Sequence, residues 1–274
     1  MNLSGKVAIV TGGAAGIGRA LAQRFAHEGA RGVVVADVDA EGARTVASGI
    51  ERDRPGTAFS VGADVSADDE LAALIHLTED RFGRVDVFCA NAGIGGAPGL
   101  LETTSEDWDR VFAVNVRSHV TAARLLVPGW LDRGSGWFVA TASAAGLLNQ
   151  IGAPAYAVTK HAVVAFAEWL ALTYGDRGIG VSCLCPMAVR TQLLADGMAI
   201  PGEAGFGLRV SAGAGAVLDP ADVAESVIEG LEAERFLILP HPEAHSFETL
   251  KVADRDAWLE GMRRVRRGAA VAAA

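Results

Sequence analysis

The sequence predicts an α/β fold: a doubly wound parallel sheet with helices on both faces, in one domain spanning residues 1–274. Three observations lead there. Short apolar runs alternate with amphipathic helical segments along the chain. Most of the runs are apolar at consecutive positions, as strands covered on both faces are. The first run passes through a glycine-rich turn directly into a helix, the local order found at the ligand-binding edge of parallel sheets. At 274 residues, half of them hydrophobic, the chain is long enough for a substantial core. It shows no linker, no internal repeat and no second domain.

Lys6 to Val10 is the first apolar run. Thr11-Gly12-Gly13-Ala14-Ala15-Gly16-Ile17-Gly18 follows, then an amphipathic helix from Arg19 to Glu28 that stops at Gly29. In this setting Gly12 permits a tight turn, Gly16 lets backbone approach a pyrophosphate, and Gly18 lets the helix pack close to the strand. The helix N-terminus offers free N–H groups and the positive end of its dipole. A glycine-rich turn without a ligand is the alternative, and the strand and helix flanks favour the phosphate reading. Gly32 to Ala36 is the second strand and ends at Asp37, placed to bind a ribose 2′-hydroxyl. A helix over 40–50 leads to a third strand, Thr57 to Gly62, and on to Asp64-Val65. The next helix, Asp68 to Phe82, has Ser66 as its candidate cap.

The fourth strand, Val85 to Ala90, delivers Asn91-Ala92-Gly93. Ser105 to Arg133 holds a long helix that contains Asn115, with Pro128 as its candidate interruption. The fifth strand, Gly136 to Ala142, carries Ser143 at its carboxyl end. Ala155 to Tyr174 is a helix with Tyr156 and Lys160 four apart, hence on one face. An ammonium beside a phenol stabilises the phenolate, so this pair predicts a tyrosine tuned to pass a proton. A surface tyrosine stacked on a lysine stem is the bland alternative. A sixth strand, Gly180 to Cys185, leads to Pro186-Met187-Ala188-Val189-Arg190-Thr191. Residues 192–218, rich in Gly and Ala, read as a mobile substrate loop with room for one short helix. Asp219-Pro220 opens a helix to Glu232, Phe236 to Leu239 is the last strand, and the tail from about 264 to 274 is expected to fray.

Gly12, Asp37, Asp64, Asn91, Ser143 and Pro186 all fall at carboxyl ends of strands, where such sheets bind ligands. With a net charge of −9 there is no general attraction to nucleic acid or to an anionic membrane. No apolar run reaches the length of a membrane span, and no signal segment precedes the first strand, so the cytoplasm is the default location. Cys89, Cys183 and Cys185, an odd number in apolar runs, read as buried small hydrophobes rather than as a disulfide framework or metal ligands. His161 and His119 read as packing groups. His241 and His245, beside Pro242, read as solvent-exposed, and no metal site is expected.

Taken together, these motifs resemble the classical short-chain dehydrogenase/reductase family over about Leu3 to Leu239. The resemblance implies a seven-stranded Rossmann fold and hydride transfer between a nicotinamide and an alcohol or carbonyl. It implies Tyr156 as acid/base, Lys160 as its pKa tuner and a nicotinamide-ribose ligand, Ser143 as orienting group, and Asn115 as support for a water that relays protons to the lysine. For the cofactor it implies contacts from Gly12, Ala15, Gly16, Ile17, Gly18, Asp37, Val38, Asp64, Val65, Asn91, Ala92 and Gly93. Pro186, Val189 and Thr191 would lie at the nicotinamide end. One departure is Met187, where the family usually has glycine, which puts an apolar side chain near the expected nicotinamide.

Asp37 disfavours a 2′-phosphate, and Ala15 and Val38 supply no cation for one, so the expected cofactor is NAD. The expected pocket segments are Ile94-Gly95-Gly96, residues 144–151, and Met198, Ile200, Phe206 and Leu208, with Asn149 and Gln150 as polar exceptions. They point to a neutral, fairly hydrophobic secondary alcohol or ketone. An NADP-dependent 3-oxoacyl-thioester reductase is one rival. A nucleotide-sensing scaffold is another, and it would be expected to have lost one of Asn115, Ser143, Tyr156 and Lys160. Ala162 to Ala167 is apolar on every side, which demands cover on both faces. The resemblance suggests the same helix of a second subunit there, hence a homotetramer or homodimer.

Overall fold

The computed structural model describes residues 1–272. Seven strands, β1 (Val7–Thr11), β2 (Gly32–Asp37), β3 (Ala58–Gly62), β4 (Val87–Ala90), β5 (Gly136–Thr141), β6 (Ile179–Leu184) and β7 (Leu237–Ile238), form one sheet of order β3-β2-β1-β4-β5-β6-β7. Every pairing is parallel. β1, β2 and β4 are buried along nearly their whole length, as the unbroken apolar runs predict. Strand order reverses between β1 and β4, and the crevice at such a switch point is where ligands bind in open α/β sheets.

The helices α1 (Gly16–His27), α2 (Ala40–Asp53), α3 (Asp68–Phe82), α4 (Ser105–Phe112), α5 (Ser118–Arg133), α6 (Ala145–Leu148) and α7 (Pro154–Tyr174) connect the first six strands. α8 (Gln192–Ala199), α9 (Gly202–Gly213), α10 (Pro220–Glu232), α11 (Pro242–Ala253) and α12 (Arg255–Ala272) complete the chain. Two apolar clusters line the two faces of the sheet. On one, Phe88, Phe138 and Ile9 meet Leu74, Trp130, Val163 and Leu170 from α3, α5 and α7. On the other, Val10, Val35 and Val139 meet Leu21, Phe25, Ile50 and Val227 from α1, α2 and α10. This is a single-domain Rossmann fold.

Four expectations are corrected. The segment 192–218 is not a loop but carries α8 and α9. Thr191 caps α8 by accepting from the Leu194 N–H at 3.3 Å, and Gly197 leaves the space into which Leu208 of α9 packs. The expected fraying tail is helical through Ala272, and residues 273 and 274 lie outside the described residues. The long 105–133 helix is interrupted at a π turn over Ala113–Arg117, around Asn115, while Pro128 is accommodated inside α5. Ser66 caps nothing: it donates its N–H and hydroxyl to Asp64, and Ala67 precedes α3 without a side-chain cap.

The α7 helix buries Val163, Val164 and Ala167 and leaves a stripe of Val158, Ala165, Trp169 and Leu172 exposed.

Candidate active site

A cleft of about 730 Å³ opens at the carboxyl ends of the strands. The floor is set by the junction of β1 and β4. Thr11 Oγ1 donates to the Cys89 carbonyl (3.1 Å) and accepts from the N–H groups of Asn91 (3.0 Å) and Ala92 (3.1 Å). Asn91 Nδ2 returns a bond to the Thr11 carbonyl at 2.9 Å, and its Oδ1 accepts from Thr141 Oγ1 at 3.3 Å. The Thr141 carbonyl in turn accepts from Lys160 Nζ at 2.9 Å. One hydrogen-bonded chain therefore ties the glycine loop to the lysine across β4 and β5.

The glycine loop is shaped to hold an anion. Gly12 has φ +64°, and a Cβ there would lie 2.9 Å from the Ala92 Cα. A Cβ on Gly18 would lie 2.0 Å from the Gly12 carbonyl oxygen. No side chain caps the N-terminus of α1 and no acid lies in its first turn, so its N–H groups face the cleft. These residues fit a dinucleotide pyrophosphate. Asp37 is fixed beside the loop: Oδ2 accepts from the Ala14 N–H and Oδ1 from the Asp39 N–H, both at 3.0 Å. Asp64 Oδ1 accepts from the Ser66 N–H (2.9 Å) and hydroxyl (2.7 Å). Those bonds, with a smaller contribution from Arg110, hold its carboxyl below the usual range.

At the other end lie Ser143, Tyr156 and Lys160. Ser143 Oγ accepts from the Ala145 N–H at 3.1 Å and donates to the Pro186 carbonyl at 3.4 Å. Lys160 Nζ lies 5.6 Å from the Tyr156 ring centroid. Burial pushes the lysine down to about 8, so it is predominantly an ammonium at neutral pH. Burial of the Tyr156 phenol raises its pKa, the Ser143 side chain opposes this, and the net direction is upward. Desolvation outweighs the Ser143 hydrogen bond here.

Every predicted cofactor position lines the cleft: Gly12, Ala15, Gly16, Ile17, Gly18, Asp37, Val38, Asp64, Val65, Asn91, Ala92, Gly93, Tyr156, Lys160, Pro186, Val189 and Thr191. Ser143 lines it too. Asn115 does not. It is fully buried on the π turn, where Oδ1 accepts from the Ile94 N–H (2.9 Å) and Nδ2 donates to the Ile94 carbonyl (3.0 Å) and Thr159 Oγ1 (3.1 Å). Its side chain fastens the Asn91–Ile94 turn to α7, and π turns of this kind recur at functional sites. Of the expected pocket residues, Ile94, Gly95, Gly96, Gln150, Ile200 and Leu208 line the cleft, whereas Asn149, Met198 and Phe206 do not.

Sequence reasoning passed over Thr11, Thr141 and Thr159. Thr11 and Thr141 end strands, the same signal that singled out their neighbours. It also misread His241, which is buried rather than solvent-exposed. His245 is exposed as expected. His119 is buried against Phe138, and burial holds its pKa down to about 3, so it stays neutral. His161 Nδ1 bonds the Ala157 carbonyl within α7 at 2.8 Å.

Comparison with known proteins agrees with this geometry. A family model described as short chain dehydrogenase matches residues 6–199. The chain is 38% identical over 247 residues to 1-deoxy-11-beta-hydroxypentalenate dehydrogenase of Streptomyces exfoliatus, covering 89% of this chain and 86% of that protein. It is 40% identical over 209 residues to momilactone A synthase of Oryza sativa subsp. japonica, covering 74% and 73%. A short-chain dehydrogenase/reductase from Burkholderia phymatum, solved in complex with NAD, superposes with a TM-score of 0.84 at 31% identity, covering 94% of this chain and 96% of that one. The family model and these relatives agree: this chain is a member of the short-chain dehydrogenase/reductase family of oxidoreductases.

Proposed function

We propose that the chain is an NAD-dependent dehydrogenase acting on a neutral, fairly hydrophobic secondary alcohol, and on the matching ketone in reverse. The observation that carries this is the convergence of Ser143, Tyr156 and Lys160 at one end of a cleft whose other end holds the fixed carboxylate of Asp37. Gly12 to Gly18 would hold the pyrophosphate, Asp37 the adenosine ribose, and Pro186 to Thr191 the nicotinamide end. When bound, the nicotinamide supplies the acceptor or donor of hydride. Tyr156 Oη takes the alcohol proton in oxidation and returns it in reduction. Ser143 Oγ orients the substrate oxygen, and the Lys160 ammonium, anchored on Thr141, favours negative charge on the phenol. Asn115 acts through position, by holding the turn that walls the lysine.

Because burial raises the Tyr156 pKa, the phenolate is the minor form at neutral pH. Turnover in the oxidative direction is expected to rise with pH from neutrality, while reduction, which needs the phenol, does not. Parallel pH profiles for the two directions would contradict this assignment.

The substrate half of the cleft is walled by Ile94, Met187, Leu193, Ile200 and Leu208. Its carboxylate is Asp196, which accepts from Gln192 Nε2 at 2.6 Å and disfavours an anionic substrate. The Streptomyces relative's name describes dehydrogenation of a hydroxylated compound and supports the oxidative direction. A panel of secondary alcohols and ketones, read by nicotinamide absorbance with both cofactors, tests the reading. Met187→Gly is expected to shift preference toward bulkier members of a size series, since the side chain lines the cleft. An unchanged preference would place Met187 outside the substrate path.

The exposed stripe on α7, with Phe112 and Leu125 also exposed on α4 and α5, supports a homotetramer or homodimer joined through these helices. Light scattering at working concentration should give a multiple of the chain mass of 28.3 kDa. A monomer would contradict it.

A further inference from the structure

We propose that His241, at the mouth of α11 and far along the chain from the motifs of the site, is a positioning residue that sets the Pro186–Ala188 turn. The turn links β6 to the residues read above as the nicotinamide end, so this inference rests on that cofactor reading. Pro186 has no N–H, and its carbonyl accepts from the Ala144 N–H (2.9 Å) and from Ser143 Oγ (3.4 Å). The Met187 N–H donates to His241 Nδ1 at 3.1 Å. That bond fixes the tautomer: Nε2 carries the proton and is shared between the carbonyls of Ala188 and Ala216, each at 3.1 Å. The Ala188 carbonyl also accepts from the Leu218 N–H at 3.2 Å, and the Arg190 N–H donates to the Leu218 carbonyl at 2.9 Å. Val189 and Leu218 form an isolated parallel bridge.

One imidazole, 1% exposed, therefore joins three pieces of chain: the turn after β6, the segment that returns from α9, and the start of α11. It supplies the acceptor for the Met187 N–H, so it determines how Met187 enters the cleft. Through the Pro186 carbonyl it bears on Ser143 Oγ as well, one residue away from the bond it makes. An apolar replacement takes the acceptor from the Met187 N–H and a donor from the Ala216 carbonyl, and leaves the Ala188 carbonyl to the Leu218 N–H alone, so the turn must shift.

The test compares two ligands on the full chain by titration calorimetry, NAD and ADP-ribose, which lacks the nicotinamide. His241→Leu is expected to raise the Kd for NAD at least about tenfold, the scale of losing buried hydrogen bonds. The Kd for ADP-ribose, held by the glycine loop and Asp37, is expected to change less than about twofold on the same grounds. His241→Gln, whose amide can both accept and donate, should recover part of the NAD affinity. It also carries the test alone if the leucine variant does not fold, as weaker NAD binding with ADP-ribose unchanged. Equal weakening of both ligands, or of neither, overturns the positioning role. Failure of the wild-type chain to bind NAD would instead remove the cofactor reading beneath it.

Discussion

Tyr156→Phe is expected to lower kcat at least about a hundredfold, the usual scale for losing an acid–base group. The substitution removes one hydroxyl and leaves the ring in place. Lys160 Nζ keeps its bond to the Thr141 carbonyl, and the glycine loop and Asp37 make no contact through the lost atom. NAD affinity should therefore change by no more than about threefold, since uniform binding energy is untouched. A loss confined to kcat identifies a group that acts in the transition state. Near-normal turnover in this variant would remove the mechanism, which assigns the transferred proton to the Tyr156 hydroxyl.

The parts of this site that rest on local pattern could be read without coordinates. Short, mostly apolar runs located all seven strands, and the strand–glycine–helix order located the loop at the switch point. Strand ends then picked out Asp37, Asp64, Asn91, Ser143 and Pro186, which all line the cleft. What could not be read depends on partners distant in sequence. His241 looks like a surface residue beside a proline, and only the return of the chain from α9 and β7 buries it on Met187. The 192–218 segment looks loop-like because its glycines lower helix propensity, yet Gly197 is a contact point between two helices. Asn115 sits in a strongly helical stretch, and sequence gives no sign that the ladder widens to a π turn there. Spacing reveals the lysine beside Tyr156, but not that burial of the phenol raises its pKa in the cofactor-free chain.

Cofactor choice rests on charge. Asp37 is held by two backbone N–H groups, so it cannot swing away from a ligand without leaving both unpaired. A ribose hydroxyl can donate to that carboxylate, whereas a 2′-phosphate brings like charge beside it. At about 4 Å the repulsion is roughly 1–4 kcal/mol per unit charge in a partly solvated site. Arg110 lines the same cleft but acts on Asp64, and among the described residues no cation is bonded to Asp37. Val38 and Ala15 are uncharged and exposed, and Arg44 pairs with Glu41. Arg19 lines a separate hollow between α1 and α2 with Asp39 and Glu41 rather than the cleft itself. Asp37→Ala is expected to narrow the difference between cofactors, by raising KM for NAD as the ribose loses its acceptor while easing entry of the phosphate. The most direct measurement is kcat/KM for NAD against NADP with one alcohol substrate on the unmodified chain. The account predicts at least about a tenfold preference for NAD, from the lower half of that repulsion. Equal values, or a preference for NADP, would contradict it.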